Sequence, residues 1–74
     1  MGDRLSLEIE LAVLQRQIAA GEEHILKQQQ LIVDLYFSGY DPQEACATLN
    51  ELRETLEHQT VVRDQILQDI AAAP

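Results

Sequence analysis

The chain has one cysteine, Cys46, so no internal disulfide can staple it. Cysteine used this sparingly suits a reducing compartment, and the expected location is the cytoplasm. Cys46 reads as a small, half-buried residue in the first turns of a helix, with nothing basic beside it in sequence to favour a reactive thiolate. Basic residues are also scarce: 5 lysines and arginines stand against 13 acidic residues, a formal net charge of −8. That balance repels nucleic acid and anionic membrane surfaces, so neither is expected as a partner. No apolar run is long enough to span a bilayer, and no signal peptide is visible. Catalytic equipment is missing too. There is no glycine-rich phosphate loop and no nucleophile elbow, so the chain reads as non-enzymatic and without a cofactor.

Only three glycines and two prolines occur, and Gly39 and Pro42 fall in one short stretch, Ser38 to Glu44. Gly39 follows a long apolar-periodic run and suits the left-handed conformation that ends a helix. Asp41 is a preferred N-cap, Pro42 fits the first helical position, and Glu44 lies three residues after the cap, as in a capping box. Tyr40 and Ala45 occupy the two places of a hydrophobic staple. The stretch therefore stops one helix and starts another with almost no linker.

The predicted fold is all-α: one domain over residues 1–74, a two-helix antiparallel coiled-coil hairpin. Helix one is placed at about 4–38, capped by Asp3 or Ser6, the turn at 39–41, helix two at about 42–70, and a frayed tail at 71–74. In helix one, Leu11, Leu14, Ile18, Gly21, Ile25, Gln28, Ile32 and Leu35 alternate spacings of three and four, the mark of a seam. Gly21 interrupts it at a cost of roughly 1 kcal/mol of helix propensity and marks a bend or a close approach. In helix two the seam is Ala45, Leu49, Leu52, Leu56, Gln59, Arg63, Ile66 and Ile70, with Val62 able to replace Arg63 if the buried face drifts. Folding about residue 40 or 41 sets Ile25 opposite Leu56 and Gly21 opposite Gln59. It also sets His24 level with His58, and Gln28 level with Glu54.

A second apolar stripe, Ala12, Ala19, Leu26 and Val33, runs at sevenfold spacing with Phe37 a turn beyond. An isolated hairpin has no use for it, because two helices of this length cannot surround a core and small scaffolds usually recruit a partner subunit. The stripe is therefore read as a self-association surface, through which two hairpins form a homodimeric four-helix bundle. A second class of function rests on His24, Glu54 and His58. Two imidazoles and a carboxylate are zinc-compatible, although helical His/Glu pairs at this spacing more often flank a seam without a metal. A third reading takes the acidic chain as a decoy for a basic protein surface.

Gly21-Glu22, His24-Ile25, Gln28, Leu31-Ile32, Leu35, Gly39, Asp41, Ala45, Leu49, Leu52, Thr55-Leu56, His58 and Arg63-Asp64 carry a further signal. In that stretch the chain resembles a group of small uncharacterised bacterial helical-hairpin proteins. Members of the group are usually richer in arginine, often with His before the Asp and Thr after it, where this chain has Tyr40 and Pro42. The resemblance implies a bacterial host and a structural or partner-selecting role for the His, Gln and Arg positions, with no activity to carry over. The expected function is a non-enzymatic interaction module that binds itself and presents a helical face to another protein.

Overall fold

In the computed structural model of the chain, residues 3–73 are described. Two α-helices, α1 (Arg4–Phe37) and α2 (Gln43–Ala72), pack against each other as a hairpin 58 Å long and 15 Å across in each other direction. Its radius of gyration, 16.8 Å, exceeds the roughly 11 Å of a compact chain of this length. The molecule is a rod.

Asp3 caps α1: its carboxylate accepts from the Ser6 backbone N–H at 2.7 Å. That bond, followed by one from the Ser6 side chain, holds the Asp3 carboxyl below its ordinary value. The cap is therefore complete above the usual aspartate range and is lost as pH falls through the lowered value. At the other end α1 stops at Phe37 by a Schellman arrangement. Tyr40 N–H donates to the Leu35 carbonyl at 2.9 Å, and Gly39 N–H donates to that of Tyr36 at 3.3 Å. Gly39 supplies the left-handed residue that this geometry needs, at φ 81°.

α2 begins one residue later than the sequence suggested. Pro42 (φ −86°, ψ 9°) is the flanking residue, and its carbonyl accepts the Cys46 N–H at 2.9 Å. Asp41 Oδ1 accepts from Gln43 N–H at 3.0 Å, two residues on, rather than from the N–H of Glu44 that a capping box uses. The far end also differs. The helix continues to Ala72, because alanine is the strongest helix former and nothing in Ala71-Ala72 breaks the ladder. Residues 71 and 72, placed in the tail by the sequence, thus belong to α2, and Pro74 lies outside the described residues.

All sixteen seam positions named above are buried or half-buried. Yet only Ile18, Ala45, Leu49 and Ile66 fall in the buried class among the described residues, at 6–9% exposure. The interior is a line of contacts rather than a core. Arg63 stays on the seam with its side chain 35% exposed, and its guanidinium turns out to Asp64 at 3.2 Å. The drift to Val62 does not occur; a long arginine stem can lie along apolar surface while its head stays wet, so the heptad keeps its register.

Gly21 sits inside an unbroken α1. A Cβ built on it meets Gln59 Oε1 at 3.7 Å and a Leu56 methyl at 3.8 Å, which is ordinary contact. Gln28 reaches across the seam to donate its Nε2 to the Ala45 carbonyl at 2.9 Å. It is the one side-chain hydrogen bond between the helices among the described residues. The acceptor lies nine residues before Glu54 in α2, so the Gln28 amide is directed toward the turn and not toward the Glu54 carboxylate.

Two predictions follow from these glycines. Gly21→Ala adds a methyl in ordinary contact and removes a helix-propensity deficit, so stability in urea is expected to rise by about 1 kcal/mol. Gly39→Val meets no neighbour within 4 Å, so its effect comes from the backbone alone. It is expected to cost about 1 kcal/mol or more, and an unchanged melting temperature would contradict the assigned turn.

Candidate functional site

The stripe is built by the helix period. Residues seven apart return to nearly the same face, and Ala12, Ala19, Leu26 and Val33 occupy the position just after the first seam residue of each heptad. That position turns away from α2. All five stripe residues are exposed: Leu26 at 66%, Val33 at 45% and Phe37 at 82%, with both alanines also open. Leu5, exposed at 66%, lies seven residues before Ala12 and extends the stripe to the open end. Ile9 and Val13 flank it there, at 57% and 50%. Sequence reading missed these three; the sevenfold spacing would have found Leu5, and a turn-by-turn check of its neighbours the other two.

The charged residues do not fasten α1 to α2. The ion pairs among the described residues are Arg4–Glu8, Glu23–Lys27 and Arg63–Asp64, each within one helix. Exposed pairs of this kind contribute only a few tenths of a kcal/mol, about 0.3–0.5 for i,i+4 spacing. Apolar contact, with the Gln28–Ala45 bond, is what joins the helices.

His24, Glu54 and His58 are all exposed and off the seam. Gln28, expected level with Glu54, bonds the Ala45 carbonyl. Among the described residues no three His, Cys, Asp or Glu side chains gather in a way that could hold a metal ion. Cys46 differs from expectation: it is exposed rather than half-buried, because it follows the seam residue Ala45 and faces outward. No described helix is long and apolar enough to cross a membrane.

Since both imidazoles stand in solvent outside the seam, His24→Gln with His58→Gln is expected to change stability by no more than about 0.5 kcal/mol. Zinc is expected to leave the melting temperature of wild type and double variant equally unmoved. A zinc-dependent rise confined to the wild type would restore the metal-sensing reading.

Compared with known proteins, the chain matches no family model, no curated protein and no solved structure.

Proposed function

We propose that this chain is a non-enzymatic protein–protein interaction module that self-associates through the exposed stripe of α1. The exposure of that stripe carries the reading. The hairpin exposes 5706 Å², whereas a compact chain of 8.4 kDa exposes about 4,600 Å². The excess is comparable to the roughly 800 Å² that each partner contributes to a standard interface. Fully burying Leu26, Val33 and Phe37 is worth roughly 1.5–3 kcal/mol for each. A second hairpin laid on this face makes a four-helix bundle and gives the chain the interior it lacks.

The order of residues along the stripe favours an antiparallel, two-fold arrangement. Leu5, Ala12, Ala19, Leu26 and Val33 are evenly spaced, so a two-fold axis at Ala19 pairs them with one another and leaves Phe37 at the rim of the contact. Around an axis at Ala19, Leu5 faces Val33 of the second copy and Ala12 faces Leu26, large against medium and small against large. The smallest side chain lies where the helices approach most closely. Arg16, which makes no ion pair among the described residues, comes level with Glu22 and Glu23 of the second copy. A parallel, in-register pair instead sets Arg16 against Arg16 and acid against acid. Opposing association is the net charge of −8 on each chain, screened beyond about 8 Å at physiological salt.

Sedimentation equilibrium is expected to show a dimer at high micromolar concentration and ordinary salt, shifting toward monomer as salt is lowered. A monomer under the first condition would sink the proposal. Leu26→Glu with Val33→Glu is expected to abolish the dimer. Orientation has its own readout: in a Cys46→Ser background, Ala19→Cys is expected to form an interchain disulfide and Leu5→Cys is not. Equal cross-linking at both positions would mean a parallel pair.

A further inference from the structure

The closed end of the rod has a composition unlike the rest. Between Lys27 and Arg53 there is no lysine, arginine or histidine, yet Asp34, Asp41, Glu44 and Glu51 fall in that interval. None of these four carboxylates belongs to an ion pair among the described residues. The same interval holds every aromatic residue of the chain, and all are exposed: Tyr36 at 70%, Phe37 at 82% and Tyr40 at 69%.

Beside the turn, a shallow groove of about 570 Å³, open to solvent, lies between the helices. Leu31 and Leu35 of α1 line it, with Gln28 bonded to Ala45, Thr48 of α2, the exposed Tyr40, and the carboxylate-bearing Asp41 and Glu44. The Schellman geometry fixes Tyr40 there, since its N–H is tied to Leu35. Asp41 is fixed by its bond to Gln43 N–H. An apolar cleft, one exposed phenol ring and two carboxylates without a cation form a site with one sign of charge missing.

We infer that this cleft docks an arginine-bearing segment of a partner protein. The argument is charge complementarity joined to shape. An arginine stem lies on leucine, its guanidinium stacks on an aromatic face, and its planar fork meets a carboxylate. Aliphatic neighbours of the arginine fill the remaining apolar surface beside Leu31. Nucleic acid and anionic lipid are repelled by the same carboxylates. The inference rests on reading the chain as an interaction module, and it supplies the chemistry of the partner. The cleft lies between the helices, whereas the stripe lies on the face of α1 turned away from α2, so they are distinct surfaces.

The test uses the full chain and a fluorescein-labelled pentapeptide of alternating arginine and leucine, read by anisotropy and by amide chemical shifts. Asp41→Asn keeps a side-chain oxygen for the Gln43 N–H while removing charge, and is combined with Glu44→Gln. A control, Glu8→Gln with Glu10→Gln, removes the same charge at the open end. The cleft variant is expected to bind about fivefold more weakly than wild type, the scale of two exposed ion pairs. The open-end variant is expected to change by no more than about twofold, through screened long-range attraction alone. Shifts are expected at Leu31, Tyr40 and Thr48. Equal weakening by both variants, shifts spread along the rod, or no binding to wild type would each overturn the inference. Sedimentation of the cleft variant separates the two surfaces. An unchanged dimer that has lost the peptide supports the cleft, whereas a monomer places the cleft in the chain's own interface and overturns it. A wild-type chain that binds the peptide at the cleft yet sediments as a monomer removes the dimer and leaves this inference standing.

Discussion

Two cylinders touch along a line, and that constraint governs everything else in this molecule. A pair of helices can share one stripe each, so every apolar residue outside the stripe stays in water unless something else covers it. The seam is long, from Leu11 and Ile70 at one end to Leu35 and Ala45 at the other, but it is one layer deep. Only four side chains reach the buried class among the described residues, so no single contact is anchored on all sides. In such a structure a polar seam residue has disproportionate influence on register. Gln28 uses the second lone pair of a carbonyl already inside α2, and sliding one helix along the other breaks that bond without offering a replacement.

The seam was legible because a coiled coil writes its buried face into the sequence at a fixed period, and even Gln59 and Arg63 keep their places in it. The helix stop was legible for a different reason: Gly39 is needed at a positive φ, and few residues can substitute there. What could not be read was anything set by a side chain's own reach. Gln28 bonds nearer the turn than backbone arithmetic allows, because a long amide extends along the groove. Cys46, read as half-buried, is exposed because it lies one residue, a rotation of about 100°, beyond the seam residue Ala45. At the open end Leu5 continues the sevenfold spacing of the stripe, whereas Ile9 and Val13 fall at other heptad positions and carry no such signal.

The candidate surfaces divide the rod between them. Along α1 the stripe has small residues at its middle and larger ones toward both ends, while the cleft is confined to the turn, where both helices and the loop contribute. Their chemistry differs accordingly. The stripe is apolar along its length, whereas the cleft joins leucine and tyrosine to carboxylates that belong to no ion pair among the described residues. The histidines belong to neither surface: His24 and His58 stand on exposed helix faces away from both.

The thin middle of the seam, where Gly21 meets Gln59 and Arg63 follows, has a consequence for how the hairpin closes. Contacts beside the turn close loops of only a few residues, whereas those between Leu11 and Ile70 close a loop of nearly the whole chain, at a higher entropic cost. Pairing therefore zips outward from the Schellman turn, gains steadily through Leu35, Ile32 and Ile25, and then crosses a short interval that returns little apolar contact. The open half is expected to close last and open first. Native-state hydrogen exchange would record this as two tiers of protection along each helix, divided near Gly21 in α1 and near Gln59 in α2.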